Sequence, residues 1–140
     1  MAALEPSHEL LPAAKRALLR RWIDRQGKTP IILSGDFNTT KNTPPYRILR
    51  RGFLFCSRRL VDVQAQRGLP GGTLHSYGQL AQPLAIDWIL VSPTFEVLSA
   101  TIDTYHEGAR YPSDHYPLLV TLQGERSDAP RALAGHVDTL

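Results

Sequence analysis

Between Leu11 and Arg25, the apolar residues Leu11, Ala14, Leu18, Trp22 and Ile23 recur at spacings that keep them close to one side of a 3.6-residue turn. Arg16, Arg20, Arg21 and Arg25 fill much of the other side and are expected to be solvated. Pro12 suits a first turn and Gly27 a stop, so the pattern predicts a helix over Pro12–Arg25. Ile31-Ile32-Leu33 is too short for a helix and lies between Pro30 and Gly35, which predicts a buried strand. Pro44 and Pro45 open a short basic helix, Tyr46 to Arg51, closed by Gly52, and Gly68 to Gly72 reads as a loop. Four segments rich in Val, Ile, Thr, Tyr and Leu predict strands: Thr73–Tyr77, Ile86–Val91, Phe95–Asp103 and Tyr116–Gln123. Residues 1–124 therefore read as one domain, and the polar residues 125–140 as a flexible tail. The order of elements implies an α/β fold, a mixed sheet with helices on one face.

Composition narrows the class. A chain of 140 residues with 42% apolar content can bury one core and is not globally disordered. Sixteen Lys and Arg against thirteen Asp and Glu give a mild excess of +3, compatible with a phosphate-bearing partner but far from a polybasic nucleic-acid footprint. Cys56, the single cysteine, supplies neither an internal disulfide nor a multi-thiolate zinc site, and its apolar neighbours suggest a packing role. No apolar run is long enough to span a membrane, and Met1 to Pro6 lacks the pattern of a secretory signal. A cytoplasmic location is the default expectation, although a truncated start would have removed any signal.

The residues with chemical potential stand at strand ends. Ser34-Gly35-Asp36-Phe37-Asn38 follows the first strand directly, and offers a carboxylate and an amide on a turn. Taken alone, it is equally an Asx-rich turn. Asp87 is embedded in Ile86-Asp87-Trp88-Ile89-Leu90-Val91, where an unpaired carboxylate is costly. It either caps local backbone N–H groups or orients a histidine. His115, in Ser113-Asp114-His115-Tyr116-Pro117, is the candidate histidine. Asp114 and His115 reach one cleft only if their loop is kinked, since successive side chains of an extended segment face opposite ways.

Taken in order, Gly35-Asp36-Phe37-Asn38, Ile86-Asp87-Trp88-Ile89 and Ser113-Asp114-His115-Tyr116-Pro117 resemble the C-terminal motifs of the endonuclease/exonuclease/phosphatase superfamily, with Gly72-Thr73-Leu74-His75 similar to the strand before the middle motif. The resemblance covers residues 10 to 123. It implies the C-terminal half of a four-layer α/β sandwich of the deoxyribonuclease I-like kind. It implies that Asp36 orients or deprotonates a water, that Asn38 holds a phosphate oxygen, and that Asp87 pairs with His115. His115 would contact the scissile phosphate, Asp114 would help to bind Mg²⁺ or Mn²⁺, and Thr73 and His75 would line the substrate cleft. The implied substrate is a phosphate ester, with nucleic acid, phospholipid and inositol phosphate all open.

The departure from the superfamily pattern is equally informative. The early Asn, the metal-binding Glu after a strand and the middle His or Tyr of the first half have no counterpart here; Glu5 and Glu9 precede a helix and do not take that role. The expectation is a metal-dependent phosphoesterase, incomplete as given, which self-associates or combines with a complementing N-terminal half. A non-catalytic remnant or interaction module of the same superfamily is the alternative, and an unrelated binding domain with structural Asp and His residues is a third.

Overall fold

The computed structural model describes residues 13–52 and 58–124, so Pro12, Cys56 and the expected tail lie outside the described residues. Helix α1 spans Ala13–Arg25. Its inward side is not the stripe read from the sequence: Ile23 is fully buried and Leu19 partly so, but Leu18 and Trp22 are 68% and 49% exposed. Arg20, expected in solvent, is wholly buried. Its guanidinium donates to the Leu49 carbonyl at 2.7 Å and the Arg58 carbonyl at 2.5 Å, and it pairs with Asp24. A planar fork of five donors can satisfy carbonyls that a helix end leaves free, and so a cation displaces leucine from the interior. The Arg20 hydrogen bond also holds the Asp24 carboxyl below its ordinary pKa.

Strand β1, Ile32–Asp36, leads into helix α2, Pro44–Arg51. Gly52, at φ 77°, closes α2 and donates its N–H to the Ile48 carbonyl at 2.8 Å. Two elements escaped the sequence reading, the two-residue strand β2, Val61–Asp62, and the single-turn helix α3, Val63–Arg67. The Asp62 carboxylate caps α3 by accepting from the Gln64 and Ala65 N–H groups, and Gly68 ends it in the left-handed conformation. Strands β3 (Asp87–Val91), β4 (Glu96–Ile102) and β5 (Leu118–Gln123) begin and end within two residues of their expected limits. Thr73–Tyr77 does not form a strand: only Leu74 makes bridges, to Leu84 and to His115. Ser76 and Tyr77 turn into the left-handed region, at φ 50° and 54°, which ends any extended pairing there.

The sheets are antiparallel, one in the order β1-β3-β2 and the other pairing β4 with β5. In the first, Leu33 opposes Leu90, Gly35 opposes Trp88 and Asp36 opposes Asp87. Alternation then sorts the side chains. Leu33, Trp88 and Leu90 join Ile23, Tyr46 and Leu49 of α1 and α2 in one core cluster. Trp88 is fully buried, stacked on Phe37 at 4.4 Å and met edge-on by Tyr46 at 5.1 Å. Removing such a ring costs about 3–5 kcal/mol. On the other face, Val91 and partly buried Ile89 pack with Val63, Val97, Val120 and Leu122. That face stays open at Ile32, which is 54% exposed, and at Ser34 and Asp36.

Candidate active site

The register of β1 and β3 brings two carboxylates side by side. Asp36 and Asp87 are direct partners across the ladder and share its open face. Like charges so placed repel one another, and the pair is tenable only with hydrogen-bond donors or positive charge beside it. Asp87 has both a hydroxyl and a histidine. Thr73 Oγ1 donates to its Oδ2, and His115 Nδ1 lies 2.7 Å from the same oxygen. A carboxylate within an apolar strand is thereby accounted for. Asp36 Oδ1 accepts from the Asn38 N–H at 2.8 Å, with Asn38 itself in the left-handed conformation at φ 50°.

The loop that carries His115 is held from behind. The Tyr116 N–H donates to the Thr73 carbonyl at 2.9 Å, and the His75 and Ser76 N–H groups donate to the Asp114 carbonyl at 2.9 and 3.1 Å. The His115 N–H donates in turn to Ser113 Oγ at 3.1 Å. His75 stacks on Tyr116 with ring centroids 3.8 Å apart, and its Nδ1 accepts from the Gly78 N–H. Thr73 and His75 are both buried; Thr73 reaches Asp87, and His75 lines a small pocket with Ser113 and His115. The sequence reading expected both to line the cleft and missed the contact of Thr73 with Asp87.

Asp36, Asp87 and His115 offer ligand atoms that all lie within 4.8 Å of one another. Asp114, the expected metal ligand, is not in that trio. It lines a neighbouring cleft together with Asn38 and His115. The kink that this arrangement requires is the Ser113–His115 turn. Partial burial of His115 lowers its pKa, but the Asp87 hydrogen bond and the charges of Asp87, Asp114 and Asp36 outweigh that effect and raise it above 6.5. With Nδ1 engaged by Asp87, His115 Nε2 has no partner among the described residues. An imidazole anchored on one carboxylate, beside a second carboxylate, is suited to binding an anion and moving a proton.

A family model described as the endonuclease/exonuclease/phosphatase family matches residues 3–115. The chain belongs to that family. Three solved structures of similar fold give the same picture of this family member. An endonuclease/exonuclease/phosphatase from Bacteroides vulgatus is 26% identical, with TM-score 0.66 over 79% of this chain and 43% of its own. A mannosyl-6-phosphatase from Bacteroides thetaiotaomicron is 27% identical, with TM-score 0.64 over 81% and 48% of the respective chains. A further family protein of that organism is 29% identical, with TM-score 0.62 over 77% and 42%. The chain thus spans less than half the length of these solved structures. No curated protein sequence matches it. Members of this family are hydrolases of the phosphatase or nuclease type, and the mixed α/β architecture with antiparallel sheets agrees with the fold of these relatives.

Proposed function

We propose that this chain carries the proton-transfer and phosphate-binding half of a metal-dependent phosphoesterase. The observation that carries the reading is the His115–Asp87 pair at 2.7 Å with Asp36 across the ladder. In the proposed reaction Asp36 takes a proton from a water, whose oxygen attacks phosphorus. The P–O bond to the alcohol breaks, and the alcohol leaves after gaining a proton from solvent. Asp87 fixes the His115 tautomer and favours its charged form, so that His115 donates to a phosphoryl oxygen as charge gathers there. Asn38 donates to a second phosphoryl oxygen.

A divalent cation fits the donors present. Asp36, Asp87 and Asp114 have no Lys or Arg partner among the described residues, and oxygen ligands suit Mg²⁺ or Mn²⁺. Asp36 and Asp87, whose ligand atoms come together with that of His115, would hold the ion, with Asp114 helping directly or through water, and it would supply positive charge to the phosphate oxygens. The mannosyl-6-phosphatase among the solved relatives supports a phosphatase over a nuclease.

The test is hydrolysis of bis-p-nitrophenyl phosphate and p-nitrophenyl phosphate, with Mg²⁺ and with EDTA. It is run on the chain alone and on the chain joined to the first half of a solved relative. The chain alone is expected to turn over weakly at best. The joined protein should show EDTA-sensitive turnover, reduced on the order of a hundredfold or more by His115→Ala. Joined protein that folds, binds Mg²⁺ and remains inert would favour a non-catalytic module.

A further inference from the structure

The cleft beside His115 and Asp114 has a volume of about 460 Å³, and its lining has a definite chemical character. Part of the lining is apolar, made by Leu74, Leu84 and Ile86. Another part presents Asn38, Thr40 and Ser76. The Asn38 amide and the Thr40 and Ser76 hydroxyls have no side-chain hydrogen bond to any other protein group among the described residues, so all three remain available to a ligand. Two further threonines of this cleft are occupied internally. Thr39 Oγ1 donates to Thr43 Oγ1 at 3.0 Å, and Thr43 Oγ1 donates to the Thr40 carbonyl at 2.6 Å. The Thr39–Thr43 pair therefore braces the turn, while Thr40 faces an open partner position.

Charge decides what this cleft accepts. No Lys or Arg is among its lining residues, and its titratable groups are the Asp114 carboxylate and the His115 imidazole that serves the scissile phosphate. Lys41, adjacent in sequence, is committed elsewhere: its Nζ lies 2.8 Å from Asp62 Oδ2 and 2.7 Å from Gln64 Oε1. With His115 and the divalent ion engaged by the phosphate being cleaved, a second phosphate placed here would find no Lys or Arg to offset its charge. Polyanions need several arginine or lysine contacts to offset their charge. An uncharged ring with hydroxyls on its edge and C–H groups on its face matches a lining that is part polar hydroxyl and amide and part apolar.

We infer that this cleft receives the leaving alcohol of the substrate, and that the alcohol is a neutral polyhydroxy ring, so that the substrate is a sugar monophosphate. Thr40 and Ser76 are the specificity-determining residues, and they act on the part of the substrate that leaves. The inference rests on the proposed hydrolysis at His115 and narrows its substrate class.

The experiment is an amide NMR titration of the ¹⁵N-labelled 140-residue chain in Mg²⁺. The probes are inorganic phosphate, a hexose 6-phosphate, inositol hexakisphosphate and a short single-stranded DNA. Phosphate should shift the amides of Asn38 and His115. Hexose 6-phosphate should shift those of Thr40 and Ser76 as well, and should bind roughly fivefold or more tightly than phosphate, the gain of one or two added hydrogen bonds. Thr40→Val combined with Ser76→Ala should erase that gain while the thermal midpoint stays in place. Equal affinity for phosphate and sugar phosphate, or tighter binding of either polyanion, overturns the inference and leaves hydrolysis at His115 standing. Absence of any response to phosphate or sugar phosphate overturns both.

Discussion

Asp87 is the residue on which the others turn. Its Oδ2 serves Thr73 and His115 together, so Asp87→Asn removes an anion while keeping the shape. The sign of the effect follows from His115. Its pKa is raised in the fold, so the charged imidazolium contributes stability that is fully present below the unfolded value and is lost as pH rises through the folded one. In Asp87→Asn the His115 titration, followed by NMR of the ring protons, should move to lower pH, and that increment of stability should vanish. Asp62 behaves in the opposite sense. Burial raises its pKa, but hydrogen bonds from Lys41 and Tyr46 prevail and hold it below the ordinary value, while burial and the Asp62 bond push the Tyr46 phenol up. The stability from Asp62 is present above its unfolded pKa and is lost as pH falls through its depressed folded value. Asp62→Ala should therefore cost stability at neutral pH, by roughly 1–3 kcal/mol for a buried network that loses its acceptor. The acid limb of its denaturation curve should also be shallower than that of the parent chain.

Among the elements, the segment from Gly72 to Ala85 is the one whose geometry is least forgiving. A Cβ at Gly72 would lie 2.3 Å from the Leu84 carbonyl carbon and from the Pro83 oxygen, and 2.6 Å from the Ala85 nitrogen. All three are backbone atoms, so the backbone itself must move. Gly72→Ala should destabilise the chain by roughly 1–3 kcal/mol. It should also displace the Thr73 hydroxyl from Asp87, seen as a lowered His115 titration alongside a lowered thermal midpoint. Gly72 was visible in the sequence as the end of a loop and the start of the Gly72-Thr73-Leu74-His75 motif, and neither shows the close approach, which depends on partners eleven to thirteen residues away. Elements with a strong local signal were legible: β3 and β5 as apolar runs, α2 between its prolines and Gly52. The Asp87–His115 pair was legible because a carboxylate among Ile, Trp and Leu demands a partner. The burial of Arg20 was not, since its reason lies in the carbonyls of Leu49 and Arg58, distant in the chain. Nor was the left-handed turn at Ser76 and Tyr77, where neither residue type announces it. Thr40 and Ser76 also went unremarked, because short hydroxyl residues in turns are common and their free partners appear only in three dimensions.

For the molecule as a whole, the open face of the first sheet sets the behaviour. Ile32 and Ser34 stand uncovered beside the two carboxylates, and Leu119 of β5 is 52% exposed. The 140-residue chain on its own should self-associate with rising concentration, as sedimentation velocity would register, and a first half supplied in trans should suppress this. The opposition of Asp36 and Asp87 adds a second consequence, one of assembly. A face that carries unbalanced negative charge resists being covered by another protein layer, since covering it removes the water that screens the repulsion. A divalent ion bound between the layers reverses that sign. By linkage, whatever the ion gains from the second half, the second half gains from the ion. Titration of the two halves against each other should accordingly give a Kd at least about tenfold lower in Mg²⁺ than in EDTA, and that ratio should shrink in Asp36→Asn. A chelator would then part the halves as well as silence them, and the cation would serve the protein as mortar before it serves it as catalyst.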